Sequence, residues 1–512
     1  MYSPCASNLT RSSLDKRRGR PCLVLVSFER QWLRVSNIIF DNRMGEACLA
    51  AWRSAGVEVR SVVVRQDGEV VFEHAAAPFA LEHVHPLYSV TKSFTSVAVG
   101  MLVNEGRLSL ADRWISYFPE YEGEIADERF RNVTVRNLLT MTMGQESDLS
   151  YIGAGDDWAH EVLHREFDWK PGEVFHYDSL CSHLLSMLVQ RISGTKESDY
   201  LAERLFTPLG IRSWWWEEDQ AGHTTGGFGL HLSTPDLAKF GQCLLDGGKW
   251  CGEQIIPAEW VAEATKIQVE TSPFYPSEAT EDSNGYGYQF WMCRRGGFRC
   301  SGLFGQLCYI RPTDGLVIAC SSSTTGSKAL LNPLYDVLFK EPSVRKTVAS
   351  ERGFDSIPVP VGLASGGRLS SLRLEGIHHC IFGDFEEIDI RFHENELDLS
   401  LLRDGREYGV RAGYESWVCK SGDGAGVGDL FPFVTHEAER DDAPAWDVRK
   451  LFAAYAWTSP TNLQIETREL DYTRRCFIDV RIGGIYAVCR VRVEGMCCFP
   501  APSELTAILK LG

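Results

Sequence analysis

The stretch Pro86-Leu87-Tyr88-Ser89-Val90-Thr91-Lys92-Ser93-Phe94-Thr95-Ser96 sets a serine and a lysine three residues apart at the start of a predicted helix. Positions i and i+3 share a helix face, so Lys92 can reach the Ser89 oxygen. A serine hydroxyl needs a base to take its proton before it can attack, and a desolvated lysine amine can be that base. The spacing alone decides little, because it occurs four times, at Ser13/Lys16, Ser89/Lys92, Ser193/Lys196 and Ser343/Lys346. The first pair lies in a polar, basic tail, the second residue of the third is preceded by the helix stop Gly194, and the last follows Pro342. Only Ser89 precedes an apolar run, Val97–Val103, able to bury a helix and give a nucleophile a rigid mount.

A chain of 512 residues suggests two or three domains. Its 44% hydrophobic and 24% charged content is that of a globular protein. A net charge of −17 argues against nucleic acid and anionic membranes as main partners. No apolar run approaches the ~20 residues of a membrane span. The sixteen cysteines are scattered without a C-x-x-C pair. They are expected to be reduced thiols in a cytoplasmic compartment, with no metal or other cofactor. The basic lead, residues 1–37, suits a disordered tail or a mitochondrial transit peptide.

Helices are expected at Met44–Gly56, from Ser89 to about Asn104, at Cys181–Ile192, at Pro235–Leu245 behind Ser233-Thr234, and at Leu330–Leu338. Gln66-Asp67-Gly68 between two β-branched runs predicts a hairpin. Further strands are expected at Tyr286–Met292, Gly305–Arg311 and Leu316–Ser321. After residue 345 alternating segments at Leu369–Leu374, Glu387–Phe392, Leu397–Leu402, Leu463–Glu466, Cys476–Arg481 and Ile485–Val493 predict an antiparallel β domain over 346–512. The irregular mixture over 38–345 predicts an α+β fold.

Acyl transfer also needs a proton shuttle, oxyanion donors and a wall for the substrate. Tyr177, in Phe175-His176-Tyr177-Asp178-Ser179, stands at a helix entrance where a phenol near cations could exchange protons. The same residues also read as an aromatic packing a helix start that Ser179 caps. Cys300-Ser301-Gly302-Leu303 precedes an apolar strand. Small residues there would admit a substrate, and the Leu303 N–H could pair with that of Ser89 as an oxyanion hole. The plainer reading is a Gly-bearing hairpin between core strands.

These segments, with Val133–Thr142, Trp169–Ser179, Leu205–Ile211, Gly229–Gly241 and Tyr286–Trp291, resemble in content and order the β-lactamase-like serine hydrolases. That family spans class C β-lactamases, penicillin-recognising enzymes and aminohexanoate-oligomer hydrolases. The resemblance covers roughly residues 57–340. It implies an antiparallel sheet flanked by helices, an all-helical subdomain, and a site between them. It implies Ser89 as acylated nucleophile, Lys92 as proton acceptor and Tyr177 as proton donor to the leaving group, with Ser179, Cys300, Ser301, Gly302 and Leu303 lining the substrate. Two departures stand out. Ser179 occupies the place of a usual asparagine, and Cys300 the place of a usual cation, with Arg299 expected on the opposite face of the strand. Both point away from a true β-lactamase, toward a small ester or amide substrate with a neutral or unusual acyl group. A non-catalytic binding protein and an acyl transferase are the alternatives. Trp214-Trp215-Trp216 is expected to serve packing, and His378-His379-Cys380 is not expected to hold a metal.

Overall fold

In the computed structural model the described residues are 38–146, 157–272, 281–324 and 327–339, then 356–357, 359–360, 371–376, 385–403, 406–421, 450–459, 461–469, 475–483, 486–494 and 504–511. The basic lead and His378-His379-Cys380 lie outside them.

Helix α1 (Asn42–Ser54) begins where the Asp41 carboxylate accepts the Met44 N–H at 2.9 Å. It leads into β1 (Glu58–Gln66) and β2 (Glu69–Ala75), joined by Asp67-Gly68. Both turn residues have positive φ, 49° and 90°, the conformation a two-residue hairpin turn demands. Strands β3 (Trp291–Met292), β4 (Phe298–Gly302), β5 (Gln306–Arg311) and β6 (Leu316–Ser323) complete a six-stranded antiparallel sheet ordered β2-β1-β6-β5-β4-β3.

Period-two alternation divides the two cores of this sheet. Val62 and Val64 of β1, Leu307 and Tyr309 of β5, and Ile318 and Cys320 of β6 pack with α1 and with α7 (Ser327–Phe339). Val63, Cys308, Ile310, Val317 and Ala319 pack with the opposite, larger helical layer. That layer contains α2 (Thr91–Asn104), α3 (Val135–Leu139), α4 (Trp158–Leu163), α5 (Ser179–Ser193) and α6 (Thr234–Leu245). Among these described helices none is long and apolar enough to cross a membrane.

Helix α2 is buried on every side from Thr91 to Leu102. Its length is mounted between sheet and helices: Phe94 stacks on Phe240 of α6 at 3.9 Å, and Gly100 lies under the Trp260 ring. Helix α6 starts at the Ser233 cap, as its sequence predicts, with Ser233 accepting the Asp236 N–H. The first turn of α5 differs from expectation. Asp178, not Ser179, is its cap, accepting the Leu180 N–H at 2.9 Å, which frees the Ser179 hydroxyl for another partner.

The expected strand Tyr286–Met292 is reduced to Trp291–Met292. Gln289 adopts φ 67°, and Gly287 presses so close to the Ala264 carbonyl that a Cβ would fall 2.0 Å from its oxygen. The tryptophan run forms a three-residue strand, Trp214–Trp216, in a small sheet with Val84–Pro86 and Leu230–Ser233. Its side chains pack: Trp216 is buried with its indole N–H on the Thr225 carbonyl, Trp214 lies against Phe206, and Trp215 against His231.

The C-terminal part is a ten-stranded sheet. Each of the six strand segments expected there overlaps an observed strand, at Ser371–Gly376, Phe385–Phe392, Glu396–Arg403, Asn462–Glu469, Arg475–Gly483 and Tyr486–Glu494, with residues 369, 370 and 485 of the expected segments outside the described residues. Arg406–Tyr414, Val418–Ser421, Lys450–Ser459 and Glu504–Leu511 were not anticipated. Parallel pairing of Arg406–Tyr414 with Lys450–Ser459 curls the sheet back on itself around its own apolar core. It meets the first part through a buried ion pair, Arg468 Nε to Glu58 Oε2 at 3.0 Å, and an edge-on contact of Phe79 with Phe452.

Because a Cβ on Gly100 would stand 2.3 Å from the Trp260 ring, Gly100→Ala overpacks the helical layer. A loss of about 1–3 kcal/mol is expected, read as a lower urea midpoint at unchanged slope.

Candidate active site

Three elements converge on the lysine. The small sheet delivers the serine: Leu87 N–H donates to the Leu230 carbonyl at 2.8 Å, and Thr91 Oγ1 accepts the Leu230 N–H. The backbone then makes a tight turn, Tyr88 at φ 48°, before Ser89 enters a short 3-10 turn continuous with α2. A non-glycine residue in this region is uncommon and strained, and such residues concentrate at functional sites.

Lys92 is 1% exposed. Its Nζ lies 3.0 Å from Ser89 Oγ, 3.0 Å from Ser179 Oγ and 2.7 Å from the Gly227 carbonyl oxygen. Three acceptors match the three N–H donors of an ammonium. Burial pulls the lysine down to about 7, against the pull of the nearby Asp178 carboxylate, which favours the charged form. Asp178 is itself buried, and desolvation raises its carboxyl above the usual range. Near neutral pH the amine is therefore poised between a saturated ammonium and a free base with its lone pair toward Ser89.

Tyr177 lies beside this pair, with Lys92 Nζ 4.8 Å from its ring centroid. Its ring stacks on Trp291 at 5.4 Å and meets Tyr286 edge-on at 6.2 Å. Strand β4 approaches from the other side. A Cβ on Gly302 would stand 2.2 Å from the Leu87 carbonyl oxygen, so only glycine allows the strand this near the serine turn. Ser301, Gly302 and Leu303 are partly exposed there. Phe304 follows at φ 60°, its ring against Tyr88 at 5.2 Å. Ser89 and Leu303, the two proposed oxyanion donors, thus each neighbour a strained residue, and those two residues hold each other.

Cys300 is placed differently from its companions. It is 1% exposed and cross-strand from Cys308 in the helical-layer core, so its thiol is packed rather than presented. Arg299 points to the other face, as strand parity requires. Its guanidinium is fully buried, donates to the Met292 carbonyl, and pairs with Asp282.

Three features of the site were given no role by the sequence reading, although one of them, Gln289, lies in the Tyr286–Trp291 segment that carries the resemblance. Gly226-Gly227 packs against the first turn of α5, where a Cβ on Gly226 would be 2.2 Å from the Ser182 carbonyl oxygen. That closeness delivers the Gly227 carbonyl to Lys92, and Thr95 of α2 donates to the Gly226 carbonyl at 2.8 Å. Gln289, buried, donates to the carbonyls of Leu138 and Leu139, accepts from Ser182 Oγ at 2.6 Å, and offers its own carbonyl to Ser93. It therefore joins α2, α3 and α5. Lastly, Glu197 is fully buried beneath α2, and desolvation raises its carboxyl to about 7.

The Beta-lactamase family model matches residues 46–338, more than half of the chain. The chain belongs to the beta-lactamase family. It is 26% identical over 311 residues to a 6-aminohexanoate-dimer hydrolase of Paenarthrobacter ureafaciens, covering 55% of this chain and 74% of that protein. It is also 26% identical over 164 residues to protein flp of a Staphylococcus aureus strain, where the match covers 30% of this chain and only 33% of flp. Among solved structures, a 6-aminohexanoate-dimer hydrolase homologue of Bacillus anthracis aligns at TM-score 0.49 and 21% identity, over 57% of this chain and 80% of that one. An octameric penicillin-binding protein homologue of Pyrococcus abyssi aligns over 91% of this chain and 99% of that one, at TM-score 0.46 and 18% identity.

Lys92→Met tests the desolvated lysine through stability. In the wild type the folded protein binds fewer protons at Lys92 than the unfolded chain between pH 7 and the ordinary lysine value near 10.5. Wild-type stability from this group therefore rises with pH across that window and is lowest below pH 7. Glu197 is common to both proteins and cancels. The stability of Lys92→Met relative to wild type is expected to be highest near pH 6 and to fall by on the order of 3 kcal/mol by pH 10. Urea titrations of both proteins across that range measure it, and a constant difference would show an unperturbed lysine.

Proposed function

We propose that the chain is a serine hydrolase that forms an acyl-enzyme at Ser89, acting on a small ester or amide. The observation that carries this reading is the contact of Lys92 Nζ with Ser89 Oγ at 3.0 Å inside a buried site where the amine is lowered to about 7. The unprotonated amine takes the Ser89 proton as Oγ attacks the acyl carbon. The N–H groups of Ser89 and Leu303 receive the oxyanion as the tetrahedral intermediate forms. On collapse, the proton passes from Lys92 to the leaving atom, with Tyr177 as the relay beside the ammonium. Water then attacks the acyl-enzyme carbonyl while the unprotonated Lys92 takes its proton, through Tyr177 as relay, and on collapse that proton passes to Ser89 Oγ as the acyl–oxygen bond breaks, releasing the acid and the free serine.

The substrate class follows from the walls. Tyr177, backed by the buried rings of Tyr286 and Trp291, makes one aromatic side, while β4 supplies backbone and small side chains. With Cys300 packed into the core and Arg299 held on the far face by Asp282, β4 gives no cation for a substrate carboxylate. This favours a neutral acyl group over penicillin-like acids. The similarity to a protein named 6-aminohexanoate-dimer hydrolase supports an amide-cleaving relative, and a small linear amide or ester is the natural first substrate.

The test is labelling by a fluorophosphonate followed by peptide mass spectrometry, together with p-nitrophenyl ester turnover. The mass shift is expected on Ser89, and Ser89→Ala is expected to lose about 10³-fold or more in kcat. Folded protein that neither labels nor turns over esters would sink the proposal. Because the unprotonated lysine is the active form, kcat/KM is expected to rise with pH through an acid limb near 7. A flat profile from pH 5.5 to 8.5 would remove Lys92 as the base.

A further inference from the structure

One turn beyond Ser179 on α5, His183 is buried at 1% exposure, away from the serine chemistry. It faces a tight turn. Asp219 N–H donates to the His223 carbonyl, Gly222 N–H to the Asp219 carbonyl, and His223 N–H to Asp219 Oδ1 at 2.7 Å. With Oδ1 holding the turn, Oδ2 is turned to both imidazoles. It lies 3.0 Å from His183 Nε2 and 3.1 Å from His223 Nδ1. The three donor atoms all stand within 4.8 Å of one another.

A second observation sets His183 apart within this cluster. Neither ring nitrogen of His183 satisfies hydrogen-bond geometry, although Nε2 is at contact distance from the carboxylate. An imidazole donating to Asp219 would point its N–H along the line to Oδ2. A lone pair aimed between the donor atoms leaves His183 close and misaligned in this way, while the His223 Nδ1 contact with the same oxygen at 3.1 Å does meet hydrogen-bond geometry. Zinc–nitrogen and zinc–oxygen bonds of about 2.0–2.2 Å in tetrahedral geometry set neighbouring donors about 3.3–3.5 Å apart, close to the two imidazole–carboxylate spacings of 3.0 and 3.1 Å, so binding requires only that the cluster, spread within 4.8 Å, draw its two imidazoles together.

We propose that His183, Asp219 and His223 bind one divalent cation of the zinc class. Two imidazoles and one carboxylate suit zinc, cobalt or nickel and not calcium or magnesium, which prefer all-oxygen shells. The Trp158 ring, 4.9 Å from that of His183, closes one side, while the His223 side chain is 20% exposed and leaves the other open to a water ligand. The cation acts on position rather than chemistry. It pins α5 to the 219–227 segment, and each contributes one acceptor to Lys92: Ser179 Oγ from α5 and the Gly227 carbonyl from the segment. Metal occupancy thus fixes the spacing of the lysine cradle. Binding of the cation stands whether or not Ser89 is a nucleophile.

The full-length protein, stripped with a chelator and titrated with cobalt(II), tests this. One equivalent is expected to bind with intense visible bands of a four-coordinate site, and zinc is expected to displace it. X-ray absorption at the cobalt edge is expected to read a nitrogen/oxygen shell with imidazole scattering and no sulfur. Zinc should raise the thermal midpoint of the wild type by about 3–5 °C. His223→Ala, the ligand change that disturbs packing least, should weaken cobalt binding at least 100-fold and abolish the midpoint shift. The absence of stoichiometric uptake by folded wild type would overturn the site, as would unchanged uptake by His223→Ala. A sulfur shell, meaning capture by one of the sixteen cysteines, would do the same and can be read on the wild type alone.

Discussion

Everything around the site depends on keeping one lysine amine out of water. An isolated ammonium in the interior is expensive unless each of its donors finds an acceptor. Lys92 has three acceptors, and each comes from a different part of the chain: Ser89 from its own helix turn, Ser179 from α5, and Gly227 from a glycine pair. The cradle can therefore form only when the helical layer is fully assembled. Desolvation does the rest, lowering the lysine to about 7 while Asp178 limits how far it falls. A more exposed lysine would stay protonated and could not accept a proton, and one with no carboxylate nearby would give up its charge more fully.

The backbone around the cradle is strained in a pattern. Tyr88, Gln289 and Phe304 all sit at positive φ, at 48°, 67° and 60°. Each costs on the order of 1–3 kcal/mol. Each is also held from several directions. The Tyr88 and Phe304 rings meet, and Gln289 makes side-chain hydrogen bonds to two other elements while its own carbonyl is taken by Ser93. Tyr88 directly precedes Ser89 and Phe304 directly follows Leu303, and the surrounding packing, a layer buried on every side of α2, offsets their strain.

What could be read from the sequence was what local periodicity encodes. The Ser89/Lys92 contact follows from helical spacing and an apolar run, and the β1–β2 hairpin from Asp-Gly. The opposite facing of Arg299 and Cys300 follows from strand parity. The strand expected at Tyr286–Met292 failed because its residues have β-type side chains but a backbone bent by Gln289 and by the approach of Gly287 to Ala264. Ser179 was read as a cap because serine and aspartate both cap helices well. Only the three-dimensional position of Lys92 shows why Asp178 takes the cap and the serine does something else. Gly227 meets Lys92, and His183 meets the Asp219/His223 pair, across tens of positions or more, so no spacing rule reaches either contact. The four C-terminal strands not anticipated include Val418–Ser421, which is short, and Lys450–Ser459, whose apolar residues alternate with small ones.

The parity of β4 also bears on substrate choice. Moving from residue 299 to 300 flips a side chain between two cores, so a cation at one position cannot serve the other. Arg299 is committed to the far core, where Asp282 and the Met292 carbonyl hold it and the Trp291 ring lies beneath its guanidinium. That same Trp291 is the stacking partner of Tyr177. Arg299 thus bears on the site through an aromatic wall and not through charge. Where the family resemblance leads one to expect a positive group, this strand has a packed cysteine, followed by a partly exposed serine and glycine. In the proposed reaction a site with that lining would select on shape and on hydrogen bonding to the acyl group rather than on the charge of a distant carboxylate.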